Sequence, residues 1–168
     1  MTVGPDSKII PEAVVEDAWH EIGGLSDEQA LGHMNRVSRT QPALLTFVMT
    51  FSEDLSSSAA ELATYMFLVV VHMFHVQFGK RLQNVGPKRI EAIHEHSLAT
   101  AERLKNADER LLEQPANLEN EKQPWVWRYV TQCLLEPDPD LELSEEDQGS
   151  LTLIMKTVID SLHSSVRD

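Results

Sequence analysis

The sequence predicts an all-α fold, a single-domain helical bundle of about seven helices around a central apolar helix at about 59–82. Three observations predict it. Apolar residues recur at three- and four-residue spacing in most segments between turn signals. Recognisable helix-start signals stand at the heads of those segments. The one run suited to a strand, Val69-Val70-Val71, has no second strand-like segment to pair with. The chain has 168 residues, 42% hydrophobic and 24% charged, which is one domain's worth of globular composition.

The elements follow in order. Residues 1–10 read as a flexible N-terminal arm, and 11–168 as the helical domain. Pro11 opens a first helix over 12–22, stopped by Gly23-Gly24. Ser26 with Gln29 forms a capping box and starts a second helix, from Asp27 to about Thr40. Gln41-Pro42 interrupts it, because the residue before proline avoids the helical region. Pro42 suits the first turn of a third helix, with Leu44, Phe47, Val48, Phe51 and Leu55 on its inner face. Ser58 with Glu61 forms a second capping box and opens the central helix at Ala59.

Residues 62–79 carry no Asp, Glu, Lys or Arg, a length at the edge of a membrane span. Thr64, His72, His75 and Gln77 interrupt the run, and the amphipathic helices around it need something to cover them, so a buried core helix is expected and no membrane span.

Gly86-Pro87 opens a fifth helix reaching about Gln114, with Ile90, Ile93, Ser97, Ala101, Leu104 and Leu111 inward. Residues 115–123 form a polar loop, and Pro124 opens a sixth helix holding Trp125, Trp127, Tyr129, Val130 and Leu134. Two tryptophans two apart cannot face the same way, so one is expected in the core and one partly exposed. An acidic, proline-containing linker at 136–147 follows. Ser144 with Asp147 caps the last helix, whose stripe is Leu151, Ile154, Met155, Val158, Ile159 and Leu162. Short connections imply that successive helices pack as neighbours.

Charge removes several functions. Lys+Arg 14 against Asp+Glu 27 gives −13, the wrong sign for general nucleic-acid binding or for docking on anionic lipid. The excess is uneven, because residues 136–147 supply −7 and leave −6 for the rest. One cysteine, Cys133, excludes an internal disulfide framework and a cysteine-built zinc site, and reads as a small buried hydrophobe. No phosphate-binding glycine loop and no nucleophile elbow occurs. With no basic-then-apolar leader at the N-terminus, a cytoplasmic protein is expected.

One cluster carries chemistry. His72 and His75 lie three apart on the central helix, and Glu91 and His94 three apart on the next, so each pair shares a face. If those helices pack antiparallel about Gln83, the four side chains meet between them, as ligands do in bundle metal sites. Imidazole plus carboxylate suits one transition metal ion, Zn, Fe, Mn or Ni. A di-metal centre is not expected, because only Glu91-x-x-His94 matches its motif and Glu61 is eleven residues from His72. His20 and His33 are further histidines that spacing does not place. The bland alternative is four structural polar contacts, since buried imidazoles are usually hydrogen-bonded and neutral.

Lys80, Arg81, Lys88 and Arg89 gather four of the 14 basic residues within ten positions, a candidate interaction site for 136–147, for a phosphate or for an acidic partner, the bland alternative being a solvated surface. The expectation for function is a non-enzymatic helical binding or interaction module. Its partner is another protein or a second copy, with a homodimer seam along the apolar third, fourth and seventh helices. The competing expectation is a mononuclear metal protein using His72, His75, Glu91 and His94.

Overall fold

The computed structural model describes residues 8–106, 122–136, 141 and 143–168, with side chains left aside at 104–106. Seven α-helices stand among them: α1 Glu12–Gly23, α2 Asp27–Thr40, α3 Pro42–Ser52, α4 Ser57–Phe78, α5 Pro87–Asn106, α6 Pro124–Leu135 and α7 Glu145–Ser164. A 3₁₀ turn, Gly79–Arg81, follows α4. The all-α bundle is the fold.

Local signals explain most helix ends. The Ser26 hydroxyl accepts from the Gln29 amide while the Gln29 side chain accepts from the Ser26 amide, the reciprocal box that opens α2. Ser144 accepts from the Asp147 amide at the start of α7. The cap of α4 is Ser56, not Ser58: its hydroxyl accepts from the Ala59 amide and donates to Asp147 on α7. Three serines in a row offer three starts, and the link to α7 selects the first. At the far end α4 stops at Phe78, short of Leu82, because Gly79 adopts φ +52° with ψ −124°.

Helix α4 is the centre, as expected. Ala63, Met66, Phe67, Val69, Val70, Val71, Met73 and Phe74 are each fully buried, against α1, α3, α6 and α7. By length and composition it is the one described helix able to cross a membrane; here half of its apolar window is buried inside the bundle. The α7 stripe is buried throughout, and Thr152, Thr157 and Ser161 are buried beside it. A helix covered on so many sides lies between others, and α7 packs on both α4 and α5.

That position corrects an expectation. Helix α5 does not pair with α4; it packs chiefly on α7 and α3. The connection explains why. The Gln83 amide donates to Ser165 O and the Arg167 amide to Arg81 O, and Leu82 forms an antiparallel bridge with Val166. The Val85 amide donates to the buried Gln41 side chain. So the chain leaving α4 is pinned to the C-terminal tail and to the α2–α3 corner, and α7 takes the face of α4 that α5 would have covered. Asp147 meets Ser56 at one end and residues 165–167 meet 81–83 at the other, so α4 and α7 run parallel. Arg89 near the start of α5 donates to Ser164 O at the end of α7, so those two run antiparallel.

Two buried glutamines hold the loops. Gln41 and Gln123 each precede a proline at a helix start, with nearly equal backbone angles (φ −136°, ψ 58° and φ −130°, ψ 73°). Gln41 donates to Gln83 O and accepts from the Val85 amide. Gln123 accepts from the Ile10 amide and donates to Lys8 O and to His163 Nδ1. Ile10 is consequently a fully buried core residue, and Lys8 pairs with Asp168 at 3.1 Å. The arm expected at 1–10 is therefore docked over 8–10, while 1–7 lie outside the described residues, as do 107–121, with Leu111, the expected end of the fifth helix at Gln114 and most of the expected loop, and the linker positions 137–140 and 142.

Candidate functional site

The four candidate ligands do not converge. His72 and His75 face α1 and α2. His72 Nε2 donates to the Glu21 carboxylate at 2.7 Å, and its ring meets the His33 ring edge-on at 5.5 Å. His33 Nε2 donates to the Leu68 carbonyl at 3.2 Å, and burial pushes its pKa below the usual imidazole value. His75 Nε2 lies 3.5 Å from Thr40 Oγ1, whose own proton goes to Arg36 O. Burial, then the neighbouring His33 and the Arg36 cation, push the His75 pKa down as well.

His94 is on a different face. Its Nδ1 lies 3.2 Å from Thr157 Oγ1 on α7, and that hydroxyl already donates to Leu153 O at 2.9 Å. Nδ1 therefore carries the ring proton and Nε2 is left as acceptor. The ring packs against Phe47 and Phe51, and burial lowers its pKa against a small opposing effect of Glu95. Glu91 is exposed. The interposed α7 is the physical reason the pairs separate. Among the described residues, no group of three or more His, Cys, Asp and Glu side chains is placed to hold a metal.

The basic residues serve in part as helix caps. Arg81 Nε donates to Arg167 O at 2.9 Å, and its guanidinium lies over the Phe78 ring. Arg89 donates to Ser164 O, the last carbonyl of α7. Two parallel helices end here, α4 and α7, so two partial negative charges meet four basic side chains. Lys80, Lys88 and Arg89 remain exposed. Asp147, at the end of the acidic linker, sits at the N-terminus of α4, about 33 Å along the helix from this corner.

A feature the sequence did not single out lies at that acidic end. A groove of about 330 Å³ runs between the end of α3, the middle of α5 and the first half of α7. Phe51, Leu55, Leu98, Leu153 and Ile154 supply its apolar surface; Asp54, Glu146 and Asp147 supply its charge. Phe51, expected in the core, is 45% exposed, and Leu98 37%. The α3 pattern continues past Ser52, but α3 ends there, so Phe51 and Leu55 reach a rim rather than the centre. The signal that could have found the groove was Leu98, an apolar residue off the α5 inner stripe, opposite an apolar helix end.

Two other features are filled. Trp127 is core and Trp125 partly buried, dividing as expected. Trp125 lines a cleft of only about 20 Å³ between α1 and α6, about one water's worth, with the Arg128 guanidinium over its ring. Cys133 is half-buried rather than fully buried, and burial pushes its thiol up, away from the reactive thiolate.

No family model, no curated protein and no solved structure matches this chain.

Proposed function

We propose that this protein is a non-enzymatic helical binding module that seats a helical segment of a partner protein in the α3–α5–α7 groove. The observation that carries this reading is the groove's pair of exposed apolar lips, Phe51 and Leu98, above a floor of Leu55, Leu153 and Ile154. Small-molecule sites bury roughly 70–90% of their ligand, whereas this surface is open along its lips and suits the apolar stripe of a helix. The polar chemistry supports a binding role. His33, His72, His75 and His94 each have a hydrogen-bonding neighbour inside the chain, which is how structural imidazoles are usually held. The metal reading draws no support from the separated positions of His72, His75, Glu91 and His94.

The test is fluorescence anisotropy of a labelled, uncharged amphipathic peptide with apolar residues at i, i+3, i+4 and i+7, titrated with the full chain. Leu98→Glu places a charge on one lip and is expected to weaken binding by about tenfold or more, with the thermal melt unchanged. Equal binding by Leu98→Glu and the natural chain would remove the groove from the reading.

A further inference from the structure

We infer that the groove selects a cationic amphipathic helix, one with Lys or Arg flanking its apolar stripe; this rests on the groove being the binding face. Among the described residues, the charges that line it have one sign. They are Asp54 on the α3 side and Glu146 and Asp147 on α7, and no described Lys or Arg lines the groove. The helix N-termini at this end, those of α4 and α7, oppose them with about half a positive charge each. Three carboxylates against roughly one unit of positive dipole charge leave the rim at about −2. A partner bringing its own carboxylates there meets repulsion at short range, and one bringing Lys or Arg meets attraction.

The geometry divides the work. The apolar floor lies between α5 and α7, which run antiparallel. His94 closes its inner end, with Nδ1–H held by Thr157 and the ring wedged against Phe47 and Phe51. Glu146 and Asp147 stand at the outer end, in the first turn of α7. Asp54 is exposed, and Asp147 is half-buried with one carboxylate oxygen accepting from Ser56. An amphipathic helix laid in this trough would put its apolar stripe on Leu55, Leu98, Leu153 and Ile154. Its flanking side chains would reach Asp54 and Glu146, the two carboxylates without a partner role in the α4 cap. The affinity would come from the apolar floor and the choice among partners from the rim.

The experiment is selection from a displayed library of roughly five-turn helical peptides against the full chain, followed by anisotropy titrations of the winners at low and high salt. Winners are expected to combine the i, i+3, i+4, i+7 apolar pattern with Lys or Arg flanks. They should bind about tenfold tighter than versions with Glu at the flanks, a ratio that shrinks at high salt. Asp54→Asn with Glu146→Gln should erase most of that ratio, while Leu98→Glu should weaken every peptide. Neutral or acidic winners that still depend on Leu98 would overturn the charge selection and leave the groove as the binding face. Winners indifferent to Leu98→Glu would overturn both. A dimer in sedimentation velocity that Leu98→Glu dissociates would assign the groove to a second copy and overturn the inference.

Discussion

Two faces of the bundle, one carrying His33, His72 and His75 and the other His94, are used differently. On the α1–α2–α4 face, His33, His72 and His75 each find a partner within the chain: a helix carbonyl, the Glu21 carboxylate and a threonine hydroxyl. On the α3–α5–α7 face, His94 is similarly tied to Thr157, but the apolar surface beside it is left open. The first face has polar contacts that hold helices together, with Leu31 and Val76 exposed as single apolar residues on α2 and α4. The second is a trough with exposed lips. The candidate histidines thus make contacts within the chain, and the surface left open is lined by Leu, Ile and Phe beside three carboxylates.

The largest expected contrast lies between two phenylalanines. Phe74, fully buried in α4, should cost about 3–5 kcal/mol as Phe74→Ala in urea unfolding. Phe51→Ala, on the open lip, should cost under about 1 kcal/mol, because little of its burial belongs to the fold. An equal cost would make the trough a packing seam and break the comparison. Next comes Gln41→Ala, which leaves the Val85 amide and the Gln83 carbonyl without their partner. A loss on the order of 2 kcal/mol is expected by the same measurement.

Acid should act more on the closed face than on the trough. Burial lowers the pKa of His33, His75, His94 and His163 below the ordinary imidazole value, so the folded chain prefers them neutral. The stability tied to that preference is complete above about pH 6.5. It is lost as pH falls through the lowered folded values, because the unfolded chain takes up protons first. Thermal melts should therefore fall below pH 6.5. His33→Gln with His75→Gln should flatten that slope more than His94→Gln. The smallest effect belongs to His72→Gln. Its bond to Glu21 is short, but Glu21 is 60% exposed, so the loss should stay below about 1 kcal/mol.

The helices were largely legible because their signals are local. Ser26 and Gln29 lie within one turn of each other, Pro42 and Pro124 each sit at a first helical position, and the α7 stripe is a simple period. What covers each stripe was not legible. Periodicity gives the apolar face of α5 but does not say that α7, more than forty residues on, will cover it. The candidate metal cluster failed to assemble for that reason: it assumed that neighbours in sequence are neighbours in space. Gln41 and Gln123 read as loop punctuation, because the partners that make both of them buried clamps, Gln83 and Val85 for one and Lys8 and Ile10 for the other, lie far away in sequence. Ser56 was hidden among three serines, since its preference depends on Asp147. The groove was hidden because Phe51 and Leu55 continue the α3 core pattern past the point where the core ends.

The most direct test of the contrast between the two faces is backbone amide chemical-shift mapping of the full chain with a cationic amphipathic helical peptide. Perturbations confined to 51–55, 94–98 and 146–154 are the expected result. Perturbations centred on residues 21, 33, 72 and 75, with the groove amides unmoved, would contradict it.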